Sequence, residues 1–221
     1  MVETLLSRWR AFMDRQHQRP SGLVGRYVGE RMVRQHAPET AWSTGLLHLA
    51  PADRVLEIGC GAGQALALAA QQLAGSTVIG LDHSLTMLRS AFLRNRDSLL
   101  AGRMALVCGD LASLPIAAAA FDKMLTIHTF YFWDDPPAII SGLLRALRPG
   151  GRIVITLATG RRLTSGEMQY WPIHERVRMI GEQLTADGDV SATLHVGPDS
   201  RTYNNVALVL SKVGISQTGI S

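Results

Sequence analysis

VLEIGCGAG, residues 55–63, is the stretch that decides the fold. An apolar run ends in three glycines separated by single small residues, and the alanine- and leucine-rich segment 64–74 follows at once. The apolar run predicts a buried strand and the alanine-rich segment predicts a helix. The glycines between them allow the backbone to turn tightly and a ligand to approach it closely.

The same alternation of strand and helix continues on the C-terminal side of this turn. Continuous apolar runs predict buried strands, and segments of ten or more residues between several of them predict helices. This order indicates βαβ units and a mostly parallel α/β sheet covered on both faces. The predicted strands are residues 53–59, 76–82, 103–110, 121–128 and 151–159, and the predicted helices are 64–74, 84–100 and 136–147.

The two ends of the chain have different patterns. Helical spacing of apolar residues in 2–18, 23–36 and 38–49 predicts an N-terminal helical cap. Residues 161–188 read mostly as helix, and two apolar runs, 189–197 and 204–212, are joined by a link short enough to predict an antiparallel pair. We therefore expect one domain, 1–221, made of a cap (1–50), a ligand-binding core (51–160), and a lid helix with a C-terminal strand pair (161–221).

Composition excludes several classes of protein. The 221 residues are 47% hydrophobic and 18% charged, which is ordinary for a globular domain. The two cysteines show no metal-ligand spacing, so we expect no metal site. No window is apolar enough for a membrane span or a signal peptide, and we expect a cytoplasmic protein. We interpret the arginine-rich start as a solvated helix face, with weak contact to an anionic membrane as the alternative.

Two carboxylates near the glycine turn indicate the kind of ligand. Asp82 ends the second predicted strand, about twenty residues after the turn, where an acid receives the ribose hydroxyls of a nucleoside. Gln64 stands where a dinucleotide fingerprint has its third glycine, which argues against a nicotinamide cofactor. Glu57, just before the turn, suits a cationic group and repels phosphates. These residues predict a positively charged nucleoside as the ligand.

Five segments between Asp53 and Thr156 resemble, in order, the motifs of the class I S-adenosylmethionine-dependent methyltransferases. They are VLEIGCGAG, VIGLDHS, CGDLASLP, FDKMLTIHTF and LRPGGRIVIT. The resemblance implies a Rossmann-like, doubly wound, seven-stranded sheet whose last strand is antiparallel, and S-adenosylmethionine as the cofactor. It is closest to the small-molecule branch that includes the quinone-biosynthesis methyltransferases.

The resemblance also implies which residues bind the cofactor. Glu57 and the glycine turn would hold its methionine part, His83 and Met87 would pack on the adenine, and Asp110 and Leu111 would contact the adenine edge. Ile127 and His128 would lie beside the amino group and the methyl. Arg26, Tyr27 or Trp42 of the cap would close over the cofactor. The expected cofactor-binding set is Glu57, Gly59, Cys60, Gly61, Gly63, Asp82, His83, Met87, Asp110, Leu111, Ile127 and His128.

The stretch HTFYFW, residues 128–133, follows the fourth predicted strand, where open α/β sheets present their ligand crevice. His128 is the candidate general base, because the pKa of a histidine is ordinarily near neutrality. Tyr131 and Trp133 are candidates for binding a flat or apolar substrate, together with Tyr170.

The resulting hypothesis is a methyltransferase acting on an O, N or C atom of a small organic molecule. No Asn-Pro-Pro-Tyr-like motif follows the fourth strand, so we expect no nucleic-acid substrate. The alternatives are a phospholipid methyltransferase working at a membrane surface, a cofactor-binding module without turnover, and an NAD-dependent oxidoreductase. The sequence does not specify the acceptor or the oligomeric state.

Overall fold

The computed structural model describes residues 21–111, 115–186, 188–198 and 203–214. The helices are α1 Gly22–Gln35, α2 Ala37–Leu46, α3 Gln64–Gln72, α4 Leu85–Arg94, α5 Arg96–Leu100, α6 Pro136–Ala146 and α7 Pro172–Leu184. The strands are β1 Val55–Ile58, β2 Val78–Asp82, β3 Met104–Cys108, β4 Phe121–Ile127, β5 Leu147–Arg162, β6 Met168–Tyr170, β7 Val190–Val196 and β8 Tyr203–Lys212. The predicted helix at 2–18 lies outside the described residues.

The strands form one mixed sheet in the order β3-β2-β1-β4-β5-β8-β7. Strands β1 to β5 are parallel, and β8 runs antiparallel to both of its neighbours. The chain moves outward from β1 to β3 and then crosses to the other side of β1 to form β4. This reversal opens a crevice at the carboxyl ends of β1 and β4, where ligands bind in such sheets. The predicted doubly wound α/β sheet is confirmed.

Both faces of the sheet are covered by helices, which explains why its strands are apolar throughout. On one face, Ile140 of α6 and Val177 of α7 pack in the core. On the other face, Leu66 of α3 and Leu88 of α4 do so. Strand β8 contributes alternate residues to the two clusters, Val206, Leu208 and Leu210 to the first and Ala207 and Val209 to the second.

Local sequence signals fix several helix ends. The Ser84 hydroxyl accepts a hydrogen bond from the backbone N–H of Met87, as the predicted N-cap of α4 should. Asp135 caps α6 in the same way, by accepting from the N–H of Ala138. The single helix predicted over 84–100 is divided at Asn95, which ends α4 and precedes the short α5.

The region after β5 differs from its prediction. A mostly helical segment was expected over 161–188, but β5 extends to Arg162 and pairs with the three-residue β6, so the sheet has eight strands rather than seven. Helix α7 then packs with Val177 and Ile180 buried among the apolar residues of the sheet. It covers the sheet and does not line the cavity described below, and its role as a lid over the substrate stays a prediction.

In the part of the chain that the structure describes, no helix combines the length and apolar character needed to cross a membrane.

Candidate functional site

A large cavity lies at the carboxyl ends of β1, β2 and β4, beneath the N-terminal helices α1 and α2. Its volume is about 1330 Å³. Ligand pockets typically measure about 300–1,000 Å³, so this cavity has room for more than one small molecule. Its position is the crevice that the strand order predicts.

The turn after β1 forms one wall of the cavity and depends on its glycines. The backbone N–H groups of Gly59 and Cys60 both donate to the carbonyl oxygen of Leu81, at 2.8 and 3.0 Å. Gly59 has a φ of +67°, and a Cβ there would lie 2.2 Å from Cγ2 of Thr129. A side chain at this position is therefore excluded both by backbone conformation and by contact.

The far end of this turn is held from behind by α4. Gly63, at φ +77°, precedes the first residue of α3, and its carbonyl oxygen accepts from the side-chain amide of Asn95 at 3.0 Å. The Arg94 guanidinium donates to the carbonyl oxygen of Ala62 at 2.8 Å. Gly63 supports the turn without lining the cavity, whereas the other turn residues, Gly59, Cys60, Gly61 and Ala62, line it directly.

Asp82 ends β2 with its carboxylate fixed by two backbone groups. The N–H of Gly61 donates to Oδ2 and the N–H of Ser84 donates to Oδ1, both at 2.8 Å. Each carboxylate oxygen can accept a further hydrogen bond, so the pair can still receive two hydroxyl groups. Asp82 also lines the cavity. The geometry suits the ribose role that the sequence predicted for it.

Glu57 is buried in β1 next to the glycine turn. Its Oε2 has no hydrogen-bond partner among the described residues. Burial raises the pKa of this carboxyl well above its ordinary value, and the charge of Asp82 raises it further, while a hydrogen bond from the backbone of Leu66 lowers it. A buried carboxyl in this state gains stability when a cation is placed beside it. Glu57 therefore fits the cationic ligand that the sequence predicted.

His128 begins the wall on the other side of the cavity. It follows β4 at φ +58°, and its Nε2 is buried with no hydrogen-bond partner among the described residues. The His36 ring lies beside it, with ring centroids 4.6 Å apart. Burial, and then the neighbouring His36, lower the pKa of His128 to about 4. The ring is therefore neutral at neutral pH, and its buried Nε2 has no hydrogen-bond partner among the described residues.

The three candidate substrate residues are placed differently. Trp133 lines the cavity and packs against Phe130. Tyr131 does not line the cavity; its hydroxyl donates to the carbonyl oxygen of Ala158 at 2.9 Å. Tyr170 is exposed on β6, with its ring against His174, and lies outside the cavity wall. Neither Tyr131 nor Tyr170 is part of this cavity wall, and their contact with substrate stays a prediction.

The remaining predicted binding residues come together in the cavity wall, although they come from three different strand ends. These residues are His83, Met87, Asp110, Leu111 and Ile127. Met87 is buried, and its thioether packs against Gly29 of α1, where a Cβ would lie 2.6 Å from its methyl group.

The contribution of the N-terminal helices differs from the expectation. Tyr27 is 65% exposed, and neither it nor Arg26 nor Trp42 lines the cavity. The cavity is instead closed by residues that sequence reasoning missed, namely Gly29, Met32, Val33, His36 and Thr40. The first four are spaced i, i+3, i+4 and i+7, so one face of α1 and the residue that follows it point at the cavity. This helical spacing is the sequence signal from which these cavity-lining residues could have been predicted.

The central part of the chain is similar to a known protein family. A family model described as a methyltransferase domain matches residues 56–155, from β1 into β5. The match covers the glycine turn, Asp82 and His128, and excludes the N-terminal helices and β7–β8.

Several individual proteins are similar over longer stretches. The uncharacterised methyltransferase YdaC of Bacillus subtilis is 25% identical over 160 residues, which are 72% of this chain and 82% of that protein. Methyltransferase GfsG of Streptomyces halstedii is 33% identical, over 58% of this chain and 43% of that protein. The malonyl-[acyl-carrier protein] O-methyltransferase of Herminiimonas arsenicoxydans is 32% identical, over 64% of this chain and 52% of that protein. The chain thus spans about half the length of the last two.

Solved structures share the fold. A putative methyltransferase complexed with the Trm112 activator of Haloferax volcanii has a TM-score of 0.67 at 17% identity, over 87% of this chain and 96% of that one. The geranyl diphosphate C-methyltransferase of Streptomyces coelicolor has a TM-score of 0.64 at 17% identity, over 81% of this chain and 80% of that one.

Proposed function

We propose that this chain, as a class I S-adenosylmethionine-dependent methyltransferase of the small-molecule type, methylates an oxygen, nitrogen or carbon atom of a small organic molecule. S-adenosylmethionine is the cofactor. The observation that carries the proposal is the pairing of a fixed carboxylate, Asp82, with a buried and incompletely bonded acid, Glu57, on either side of one glycine turn.

The residues of the glycine turn and of β2 would hold the cofactor. Asp82 would accept hydrogen bonds from its ribose hydroxyls, because both carboxylate oxygens are fixed by backbone N–H groups and keep free acceptor capacity. Glu57 would balance its positive charge from the floor of the cavity. When bound, S-adenosylmethionine supplies a methyl group attached to a positively charged sulfur, which makes the methyl carbon electrophilic.

His83, Met87, Asp110 and Leu111 would enclose the base. They lie at the ends of β2 and β3 and at the start of α4, on the same side of the glycine turn as Asp82. Ile127 and His128, which follow from β4, would flank the reacting end of the cofactor. The chain's part in the reaction is to orient the acceptor and to exclude water, which is how much of the rate of such a transfer is obtained.

The acceptor would bind between the aromatic segment after β4 and the helices of the cap. Phe132 and Trp133 form one side of this space, and Met32 and Val33 of α1 form the other. Their apolar character favours a small organic molecule with an aromatic or aliphatic body. None of the described residues favours the phospholipid alternative, since the arginine-rich segment on which it rested lies outside them.

The test is calorimetry with S-adenosylmethionine and with S-adenosylhomocysteine. Both should bind the wild-type protein. Asp82→Asn should weaken both by about 2 kcal/mol, because charge-assisted hydrogen bonds to the ligand become neutral ones. That loss corresponds to roughly a 30-fold increase in Kd. Asp97→Asn, on exposed helix α5, is the matched control and should bind like the wild type. No binding by folded wild-type protein would refute the proposal.

A further inference from the structure

Two facing histidines in the cavity wall carry buried polar atoms without hydrogen-bond partners among the described residues. His36 lies at the junction of α1 and α2, and His128 follows β4. Their ring centroids are 4.6 Å apart and their planes are tilted by 55°. Nδ1 of His36 and Nε2 of His128 are both buried, and neither has a hydrogen-bond partner among the described residues. Buried polar atoms without partners are rare, and each requires an explanation.

We propose that His36 and His128 together bind and deprotonate a neutral hydroxyl group of the methyl acceptor, so that the enzyme is an O-methyltransferase of phenols, enols or alcohols. The inference rests on the proposed function and narrows it to one class of acceptor. His36 holds the hydroxyl oxygen, and His128 takes its proton.

Tyr131 determines which nitrogen of His128 is available. The Tyr131 hydroxyl donates its hydrogen to the carbonyl oxygen of Ala158 at 2.9 Å and accepts from the N–H of Ala158 at 2.5 Å. Towards Nδ1 of His128, 3.5 Å away, it can therefore act only as an acceptor. The proton of the neutral ring then lies on Nδ1, and Nε2 carries the lone pair. Tyr131 is a positioning residue in this scheme.

The two rings present one acceptor and one donor, which a hydroxyl group complements. Each neutral imidazole has one nitrogen of each kind. A hydroxyl donates its hydrogen to Nε2 of His128 while its oxygen accepts from Nδ1 of His36. A carboxylate has acceptors alone and an ammonium has donors alone, so each leaves one ring nitrogen unpaired. A neutral amine has a single lone pair, which cannot both accept from His36 and attack the methyl carbon, whereas a hydroxyl oxygen has two. A carbon acceptor leaves both unpaired, and sites built to bond a hydroxyl reject ligands that lack one.

The charges around the pair also favour a neutral acceptor. Glu39, from α2, faces His36 and raises its pKa, but burial has the larger effect and the pKa remains lowered. Among the cavity residues that the structure describes, Arg145 is the one arginine or lysine. Its carbonyl oxygen pairs with the N–H of Ala119, before the start of β4, whereas His128 follows the end of that strand. Seven strand residues separate them, about 20 Å, so no arginine or lysine of the described cavity wall lies where it could pair with a carboxylate at the histidines.

The chemical step balances without another reactant. The acceptor oxygen forms its bond to the methyl carbon, and the carbon–sulfur bond breaks with its electron pair moving to sulfur. The O–H bond breaks, and its proton goes to the lone pair on Nε2 of His128. The imidazolium then returns this proton to water when the methyl ether leaves.

The test uses pairs of aromatic probes that differ in the acceptor group, phenol with benzoate and 2-naphthol with 2-naphthoate. Each is titrated into the full chain saturated with S-adenosylhomocysteine, while the imidazole signals are followed by NMR and assigned with His36→Asn and His128→Asn. Asparagine keeps a hydrogen-bonding side chain and tolerates the positive φ of residue 128. We expect the phenols to shift both imidazole signals, and the carboxylates to bind at least tenfold more weakly.

Turnover with S-adenosylmethionine separates catalysis from structure. With the phenol that is methylated, His128→Asn should lower kcat about 100-fold, a typical loss for a general base. His36→Asn should raise KM about tenfold. The loss of kcat in His128→Asn should be smaller when the substrate is a nitrophenol of similar shape, because a nitrophenol ionises without a general base. His195→Asn, on the exposed strand β7, should match the wild type.

Three results would overturn the inference: a carboxylate bound as tightly as its matching phenol, no shift of either imidazole signal by any probe, or full activity in both cavity variants. Any of them with S-adenosylhomocysteine still bound would leave the proposed function standing. Failure to bind S-adenosylhomocysteine would instead refute the proposed function itself.

Discussion

Two walls of the same cavity satisfy their polar groups in opposite ways. In the loop wall, defined as Glu57–Gly63 with Asp82, backbone N–H groups bond to Leu81 and to the Asp82 carboxylate. In the histidine wall, defined as His36 and His128, two buried ring nitrogens have no partner among the described residues. The buried side-chain polar atoms of the loop wall are thus paired before any ligand arrives, apart from one oxygen of Glu57, whereas those of the histidine wall are not.

This difference separates a preorganised site from one completed by its ligand. Each buried polar atom left without a partner costs about 1–3 kcal/mol. The histidine wall therefore reduces the stability of the free protein and regains it when a hydroxyl group binds. The loop wall can bind the cofactor without rearranging, because its own hydrogen bonds are already formed.

The largest effect should come from adding a methyl group to the loop wall. Gly59→Ala should lower the free energy of unfolding by about 3 kcal/mol, because an alanine Cβ combines left-handed backbone strain with a clash against Thr129. Chemical denaturation measures this change.

The matched control is Gly61→Ala, at φ +50° with no heavy atom within 4 Å of the added Cβ. It should cost about 1 kcal/mol of stability from backbone strain alone. Its methyl group enters the space of the cofactor, so S-adenosylhomocysteine affinity should fall while the fold survives. Equal stability losses in the two variants would show that the turn is not as tightly packed as the contacts indicate.

An intermediate effect should come from Glu57→Gln. Burial raises the pKa of Glu57 in the free protein, and a cation bound beside it lowers that pKa again. Cofactor binding to the wild type should therefore release a proton, and the affinity should increase with pH. The variant should bind about 2 kcal/mol more weakly and release no proton from this site.

Calorimetry in buffers of different ionisation enthalpy measures the released protons. Glu167→Gln, at an exposed position after β5, should behave like the wild type. If the variant released as many protons as the wild type, Glu57 would not be the group that responds to the cofactor.

The smallest effect should be a change in the pH dependence of stability from the histidine wall. The pKa of His128 falls from 6.5 to about 4 on folding. Between these values the unfolded chain binds a proton that the folded chain does not, so stability is present above pH 6.5 and is lost as the pH falls toward 4.

Wild-type protein should lose stability as the pH falls from 7 to 5. In His128→Asn this loss should be smaller by on the order of 1 kcal/mol. Denaturation at a series of pH values gives the slope. Part of the slope should remain in the variant, because burial also lowers the pKa of His36. An unchanged slope in the variant would mean that His128 is already protonated or solvated in the folded protein. His195→Asn should leave the slope as it is.

The core of the fold could be predicted because its signals are local. The glycines after β1, the serine cap of α4 and the prolines opening α6 each act within a few residues. Strand β6 was missed because three residues, Met168–Tyr170, carry no pattern of their own. They form a strand only because β5 extends far enough to pair with them. The helical spacing after it predicted α7 but not the surface on which it packs.

The acids and glycines of the loop wall were predicted from the sequence, whereas in the histidine wall His128 was predicted and His36 was not. Asp82 and Glu57 follow from their spacing to the glycine turn, and both line the cavity. His36 was missed because nothing near it in the sequence indicates a contact with His128. Tyr131 was expected to touch substrate, and its hydroxyl bonds to the backbone of β5.

The sequence by itself determined the parallel core, the glycine turn and the acids beside it, because these depend on hydrophobic periodicity and on backbone conformations that few residues adopt. The tertiary structure alone decided that His36 meets His128. That meeting depends on where the cap packs, and several long-range contacts fix it: Gly29 against Met87, the hydrogen bond between Ser43 and Thr156 at 2.7 Å, and the bond from Asn205 to Glu39 at 3.0 Å. Each joins segments distant in the chain, and shape complementarity between such segments leaves no local trace in the sequence.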